Sequence, residues 1–170
     1  YKKGHAKPDN PGNGKGNGGG GGDDTESSCY AFLGNGAAWK TVEDYVLDET
    51  NTSGYAVNDV AADIAASLAV WNAKTTDPVF GSRDVGNITD HVIELDDMNE
   101  IFFDSLSGST IAVTYIWGIF NGKPSWREIV EYDMVFNDGL DWGNSGPTDE
   151  DNLGDTSLYD LLNIAVHEAG

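Results

Sequence analysis

The chain has 170 residues, which is enough for one domain with a hydrophobic core and tails but not for two comfortable domains. Its formal net charge is −20, from 29 acidic and 9 basic residues. Because so negative a surface repels phosphates and anionic lipid headgroups, we expect no nucleic-acid partner. No run of about 18 apolar residues occurs, so no membrane span is expected either.

The first 28 residues are rich in Gly, Asn, Pro and charge, with almost no apolar residue to bury. This composition predicts a flexible linker over residues 1–28. Aromatic and aliphatic residues become common from Cys29 onward, so one folded domain is expected over residues 29–170. The chain opens on Tyr1 and stops at Gly170 within an apolar helical stretch, and we therefore expect it to be part of a longer protein.

A strand and a helix are predicted first. Residues 42–47 have the aromatic and β-branched content of a strand. Asn58 is placed to cap a helix over residues 58–74 that ends before the breaker at residues 75–78. Its buried face would follow the three-and-four spacing of Val57, Val60, Ile64, Leu68 and Trp71.

Three strands are predicted next, over residues 99–103, 111–120 and 126–137. The second, IAVTYIWGIF, is the strongest β pattern in the chain. Residues 121–124 are a turn, and a tight connection would pair the flanking strands antiparallel. A loop covers residues 138–156. The capping-box pattern at residues 157–160 then opens a helix with Leu158, Leu161, Leu162 and Ala165 buried, which puts His167 and Glu168 in its third turn.

His167 and Glu168 begin a pattern found in zinc hydrolases. Such sites need two imidazoles one helical turn apart that reach one metal ion, and a carboxylate that deprotonates the water on that metal. A His-Glu-x-x-His segment on a helix provides this arrangement. The chain has His167, Glu168, Ala169 and Gly170 and stops before the fifth position. A chance His-Glu pair on a helix surface is the alternative.

The order of several segments resembles that of the matrixins, the metzincin branch of zinc endopeptidases. Residues 163–170, NIAVHEAG, look like the start of the matrixin active-site helix. Upstream segments are similar to ones that occur in the same order in prokaryotic members: residues 30–34, 39–40, 69–73, 99–101, 111–114, 131–137 and Trp142. The resemblance covers residues 30–170.

This resemblance implies a secreted, extracellular metalloendopeptidase with an α+β fold. The expected structure is the metzincin-like upper subdomain. It has a twisted mixed sheet of about five strands, the first helix packed on the sheet, and a truncated active-site helix behind it.

The resemblance also implies the roles of individual residues. His167 would be the first ligand of a catalytic Zn²⁺, and Glu168 the general base that activates water and returns a proton to the leaving amine. The strand that begins Ile111, Ala112, Val113, Thr114 would border the cleft and bind an extended protein or peptide substrate through main-chain hydrogen bonds. An ordinary core strand is the alternative. One imidazole cannot hold catalytic zinc, so this chain alone is expected to be inactive.

The chain departs from the family pattern at three places. Val135 stands where matrix metalloproteinases have a His ligand of a structural zinc, so that site is not expected. The family binds Ca²⁺ with acids at the end of the same strand. Here Asn137 stands where an Asp is usual and only Asp138 follows, so the match is partial and a Ca²⁺ site remains possible there. Cys29 precedes the domain, where matrixin propeptides place a zinc-blocking Cys, but its neighbours do not match that motif and an unpaired thiol is expected.

The remaining candidate ligands are predicted to be solvated. His5 lies in the linker, and His91 is read as a surface residue because no second His is near it in the sequence. Four acidic residues lack the spacing of an EF-hand and are expected to form a solvated loop: Asp149, Glu150, Asp151 and Asp155.

Two other functions stay open. The same fold could serve as a non-catalytic exported domain for adhesion or calcium-dependent binding. The chain could also be an unrelated acidic domain with a chance His-Glu pair, if the ordered upstream matches are accidental. A protease of this family needs His four and ten positions beyond His167, and a binding module does not.

Overall fold

The computed structural model describes residues 36–87, 89–144 and 157–170, together with the backbone of Gly4 and His5. The strands are β1 (Gly4–His5), β2 (Glu43–Leu47), β3 (Phe80–Arg83), β4 (Glu100–Asp104), β5 (Ala112–Ile119), β6 (Glu128–Asn137), β7 (Trp142–Gly143) and β8 (Tyr159–Asp160). The helices are α1 (Val57–Asn72) and α2 (Leu161–Glu168). Within this part of the chain, no helix is long and apolar enough to cross a membrane.

Five strands form one mixed sheet in the order β5-β6-β4-β2-β3. β5 pairs antiparallel with β6, and the other neighbours are parallel. The two-residue strand β1 adds a sixth strand, antiparallel to β5 and opposite Tyr115 and Ile116. The predicted α+β class and the mixed sheet of about five strands are therefore confirmed.

The antiparallel pairing of β5 and β6 is as predicted, but the connection is longer than a tight turn. Pro124 opens a short 3-10 helix, Pro124–Trp126, in which its fixed φ suits the first helical position. The β-branched and aromatic residues that predicted β5 pair along its whole length with β6, and the register shifts once, between Trp117 and Gly118. This strand could be predicted because its β-branched and aromatic residues form one long, continuous segment of the sequence.

The core lies between one face of this sheet and both helices. Val60, Ile64 and Leu68 project from α1 at four-residue spacing and are buried. They join a single apolar cluster with strand residues such as Phe103 and Phe136. The helix predicted over residues 58–74 is therefore confirmed as α1, with a different start.

Two residues at the start of α1 differ from expectation. Asn58 is not the cap, because the helix begins at Val57 and Ala56 occupies the capping position without a side-chain hydrogen bond. Val57 is 54% exposed rather than buried. Val57 lies beyond the edge of the core, so the apolar spacing extends one residue further than the surface on which the helix packs.

The start of α2 was also predicted wrongly. Tyr159 and Asp160 pair with β7 as strand β8, so the helix begins at Leu161 rather than at residue 157. Asp160 is its cap, and the Asp160 carboxylate accepts a hydrogen bond from the Asn163 N–H at 2.9 Å. His167 and Glu168 therefore lie in the second turn of the helix, not the third.

Packing of α2 is confirmed only for part of the predicted stripe. Leu161 and Ala165 are fully buried, whereas Leu158 and Leu162 are half-buried. Trp142 of β7 packs nearby against Phe136, with ring centroids 5.4 Å apart, and its indole N–H donates to the Asn137 carbonyl. The short β7–β8 pair thus joins the start of α2 to the end of β6.

Several expectations fall outside the described residues. These are the linker character of residues 1–3 and 6–28, the thiol of Cys29, the segment 30–34 and the acidic loop of Asp149, Glu150, Asp151 and Asp155. Within the predicted linker, Gly4 and His5 form β1 instead.

Truncation of Ile64 tests the helix-to-sheet core. Ile64→Ala should lower the free energy of unfolding by about 3 kcal/mol, because it removes a fully buried side chain and leaves a cavity. The exposed neighbour Ala65 provides the control, and Ala65→Ser should change stability by less than about 0.5 kcal/mol. Urea unfolding followed by circular dichroism measures both, and equal effects would contradict this assignment of the core.

Candidate functional site

The two residues that suggested zinc chemistry lie side by side in the last turn of α2. His167 is exposed to solvent, and Glu168 is half-buried. Helix α2 packs beside α1 and also contacts β5. This places the His-Glu pair next to the strand that the sequence assigned to substrate.

Glu168 is held by a side chain of that strand. The hydroxyl of Thr114 lies 2.9 Å from Glu168 Oε2 and 3.0 Å from the main-chain oxygen of Glu168, so its single proton is shared between two acceptors. Thr114 is only 3% exposed, which shields this contact from water. The carboxylate is thus fixed by the sheet as well as by its helix.

Trp71 ties the two helices together at the same place. Its indole N–H donates to the main-chain oxygen of Val166 at 2.8 Å. Gly170 packs so closely on the indole that a Cβ there would overlap the ring. The end of α1 therefore sets the position of the turn that carries His167 and Glu168.

The four predicted substrate-binding residues occupy the start of β5. Ile111 precedes the strand and is exposed, Ala112 and Val113 are half-buried, and Thr114 points toward α2. On the outer side of β5, the described residues include only β1, which pairs opposite Tyr115 and Ile116. The geometry brings Thr114 to Glu168 and leaves the other three along the strand edge.

His91 is not the simple surface residue that the sequence suggested. Its ring stacks on Phe102 at a centroid distance of 4.5 Å, and its Nε2 lies 3.0 Å from Asp48 Oδ2. Phe102 alternates with the core residues Ile101 and Phe103 along β4, so His91 covers the sheet face opposite α2. It cannot share a metal ion with His167.

No group of three or more His, Cys, Asp or Glu side chains is arranged to hold a metal ion within the described ranges. Val135, at the position compared with a structural-zinc ligand, is buried. Asn137 and Asp138, the residues of the possible calcium site, form hydrogen bonds with neighbouring loops. Asn137 donates to the Thr110 carbonyl at 2.8 Å, and Asp138 accepts from the Thr52 N–H at 2.7 Å.

A cluster of buried carboxylates, not predicted from the sequence, lies on the sheet face opposite the helices. Glu100, Glu131 and Asp133 are each no more than 1% exposed. Glu100 lies beside Asp133 on the neighbouring parallel strand, and Glu131 precedes Asp133 by two residues on the same face of β6. The alternation of acids with apolar residues along β6 predicts a strand, but it does not reveal that the acids are buried.

Burial raises the pKa values of these carboxyls. Desolvation raises the pKa of Asp133 to about 8, with a further contribution from the nearby charges of Glu100 and Glu131. Desolvation likewise raises the pKa of Glu131 to about 7, although N–H groups of Asp97 and Asp96 oppose the shift. The pKa of Glu100 is also raised by burial. The cluster therefore favours protonation or a bound positive charge.

A cavity of about 520 Å³ lies elsewhere, between the start of α1 and β7. Tyr55, Asp59, Asp63 and Trp142 contribute to its walls, and no residue of α2 does. It is not part of the His167–Glu168 site.

Replacement of Trp71 tests the contact that positions α2. Trp71→Phe keeps an aromatic ring but removes the N–H that satisfies the Val166 carbonyl, and should cost about 1–2 kcal/mol of unfolding free energy. Amide hydrogen exchange in α2 should accelerate. The control is Trp126→Phe, since Trp126 is 58% exposed, and it should leave both quantities unchanged. Equal exchange in α2 for the two variants would argue against the role of Trp71.

The pH dependence of stability tests the carboxylate cluster. The folded-state pKa values of Asp133 and Glu131, about 8 and about 7, lie above their ordinary values of 3.8 and 4.5. At any pH between the ordinary and the folded-state value of a group, the folded chain therefore binds more protons than the unfolded chain. This contribution to the free energy of unfolding must therefore fall as pH rises from about 4 to 8.

Urea titrations of chelator-treated protein measure the effect. We expect the contribution of Asp133 to the free energy of unfolding, taken as the difference between the native chain and Asp133→Asn, to fall by about 3–4 kcal/mol between pH 5 and pH 8. The exposed residue Asp104 at the end of β4 provides the control, and Asp104→Asn should keep the native slope. A native slope in Asp133→Asn would contradict the prediction.

Comparison with known proteins identifies no relative from which the site could be assigned. No protein-family model, no curated protein and no solved structure matches the chain. A proposal for its function therefore rests on the residues of the chain and their geometry.

Proposed function

We propose that this chain belongs to a secreted, zinc-dependent endopeptidase of the matrixin type, in which His167 is the first zinc ligand and Glu168 the general base. One observation carries the proposal: Glu168 is bound by Thr114, a residue of the strand assigned to substrate. A base must lie within reach of the scissile bond, and a carboxylate fixed beside a substrate strand meets that requirement.

The donor set agrees with one ligand of a catalytic zinc ion. His167 is exposed on α2, so its imidazole is accessible to a metal ion, and His91 is on the opposite face of the sheet. The two remaining His ligands would follow Gly170, at four and ten positions beyond His167. Zinc bound there would polarise the substrate carbonyl and acidify the attacking water.

The residues of this chain would bind the substrate and transfer the proton. Residues 111–114 would align an extended peptide through main-chain hydrogen bonds. Glu168 would take a proton from the attacking water and deliver it to the leaving amine nitrogen. Thr114 would hold one oxygen of the Glu168 carboxylate and leave the other toward the reaction. The 170-residue chain alone should show no EDTA-sensitive cleavage of casein, because it brings one imidazole to the site.

Glu168→Gln in the natural protein, including the residues after Gly170, tests the assignment. Gln keeps the size of Glu168 and can still accept the Thr114 hydrogen bond, but it cannot accept a proton. We expect kcat on a peptide substrate to fall about 10²–10⁴-fold with an unchanged zinc content.

The matched control is Glu94→Gln, which removes one charge from an exposed side chain and should retain full activity. An active Glu168→Gln enzyme would eliminate Glu168 as the base. The absence of His at the two positions beyond His167 would favour a non-catalytic exported binding domain instead.

A further inference from the structure

The buried carboxylates of Glu100, Glu131 and Asp133 lie beneath the segment that joins β3 to β4. The described residues of this segment, 84–87 and 89–98, cross the sheet face opposite the helices. Its main-chain N–H groups point into the cluster: Asp97 donates to Glu131 at 2.6 Å, and Asp90 donates to Glu100 Oε1 at 3.0 Å. The polar layer is thus built from both the sheet and the segment that covers it.

Among the described residues, three carboxylate oxygens in this layer have no partner at hydrogen-bond geometry, although the main-chain N–H of Glu100 lies close enough to Asp133 to lower its pKa slightly. They are both oxygens of Asp133 and Oε2 of Glu100. Both residues are 0% exposed, so bulk water does not compensate for the missing hydrogen bonds. Leaving a buried carboxylate without a partner costs several kcal/mol, on the order expected for any unpaired buried charge.

In the part of the chain that the structure describes, no basic side chain forms a salt bridge with this cluster. The salt bridges among the described residues are Lys40–Glu128, Arg83–Glu49 and His91–Asp48, and none includes a member of the cluster. Protonation alone is an incomplete remedy, because one proton shared between Asp133 and the neighbouring Glu100 would still leave the second oxygen of Asp133 without a hydrogen-bond partner. A cation removes both defects, since it neutralises charge and takes several oxygens at once.

We propose that Asp133 and Glu100 bind a divalent cation of the calcium type between β4 and β6, beneath residues 84–98. The ligands available are hard carboxylate oxygens, which favour calcium over zinc. Two residues supply the three free oxygens, and main-chain or water oxygens complete the coordination shell. This is compatible with the absence of a three-residue metal group in the described part of the chain.

This cation site is independent of the proposed protease activity. It lies on the opposite face of the sheet from α2, and it uses neither His167 nor Glu168. Its role is to fix the covering segment to the sheet, because the cation neutralises the carboxylates that accept hydrogen bonds from that segment. It also differs in place from Asn137 and Asp138, which were considered for calcium on sequence grounds.

The test is a calcium titration of the 170-residue chain after treatment with EGTA. Isothermal calorimetry at pH 7.5 should show a binding site that Asp133→Asn weakens by at least about tenfold. Calcium should raise the melting temperature of the native chain and not that of Asp133→Asn. Affinity should also increase from pH 5 to pH 8, because the carboxyls must lose their protons to bind metal.

Two further variants make the result specific. Glu100→Gln should weaken calcium binding as Asp133→Asn does, while Glu94→Gln, an exposed residue of the same segment, should change affinity less than about twofold. Circular dichroism confirms that each variant is folded. The proposal is overturned if the native chain takes up no calcium at millimolar concentration, or if Asp133→Asn binds it as tightly as the native chain.

Discussion

The shared burial of α1 and α2 against one face of the sheet is the constraint on which the rest of the structure depends. Ile64 and Leu161 are both fully buried in the same apolar cluster as Phe136. Without that cluster, an eight-residue helix such as α2 would not be stable in water. Core packing therefore places Glu168 beside Thr114. Without that packing, the His167–Glu168 pair would have no fixed geometry.

Strand β6 divides the molecule into an apolar side and a polar side. Tyr132, Met134 and Phe136 join the helix-facing core, while Glu131 and Asp133 alternate with them on the other face. Burial on both faces is usual for the central strand of a mixed sheet, but burial of acids there is not. The segment that covers the polar face compensates in part by donating main-chain N–H groups. This division keeps the proposed catalytic site and the buried carboxylates physically separate.

Much of the fold could be predicted from local sequence patterns. β5, β6 and α1 carry long apolar periodicities, and their existence and the antiparallel β5–β6 pairing are confirmed. Errors arose where a distant partner decides the structure. The pairing of Tyr159 with Trp142 turned an apparent first helical turn into β8, and nothing within residues 157–160 signals that partner. The exposed Val57 shows the same limit, since periodicity does not reveal where the core ends.

The candidate site was predictable in part. The pattern of His167 and Glu168 is local, and the helix that was expected to carry these residues is present as α2. The contacts of Glu168 with Thr114 and of Val166 with Trp71 join residues more than 50 positions apart, so only the folded chain shows them. Burial of Asp133 was hidden for a different reason: an acidic residue on a strand normally indicates a solvent-exposed face.

The alternation of side chains along β6 also restricts how this strand can assemble. A slip of one residue against β4 or β5 would turn Glu131 and Asp133 into the apolar cluster and put Met134 and Phe136 beneath the N–H groups of residues 84–98. Both faces would then be mismatched at once, whereas a strand with one solvated face would lose its packing on one side only. The buried acids, although costly in the native state, thereby make the neighbouring registers much less stable than the correct one.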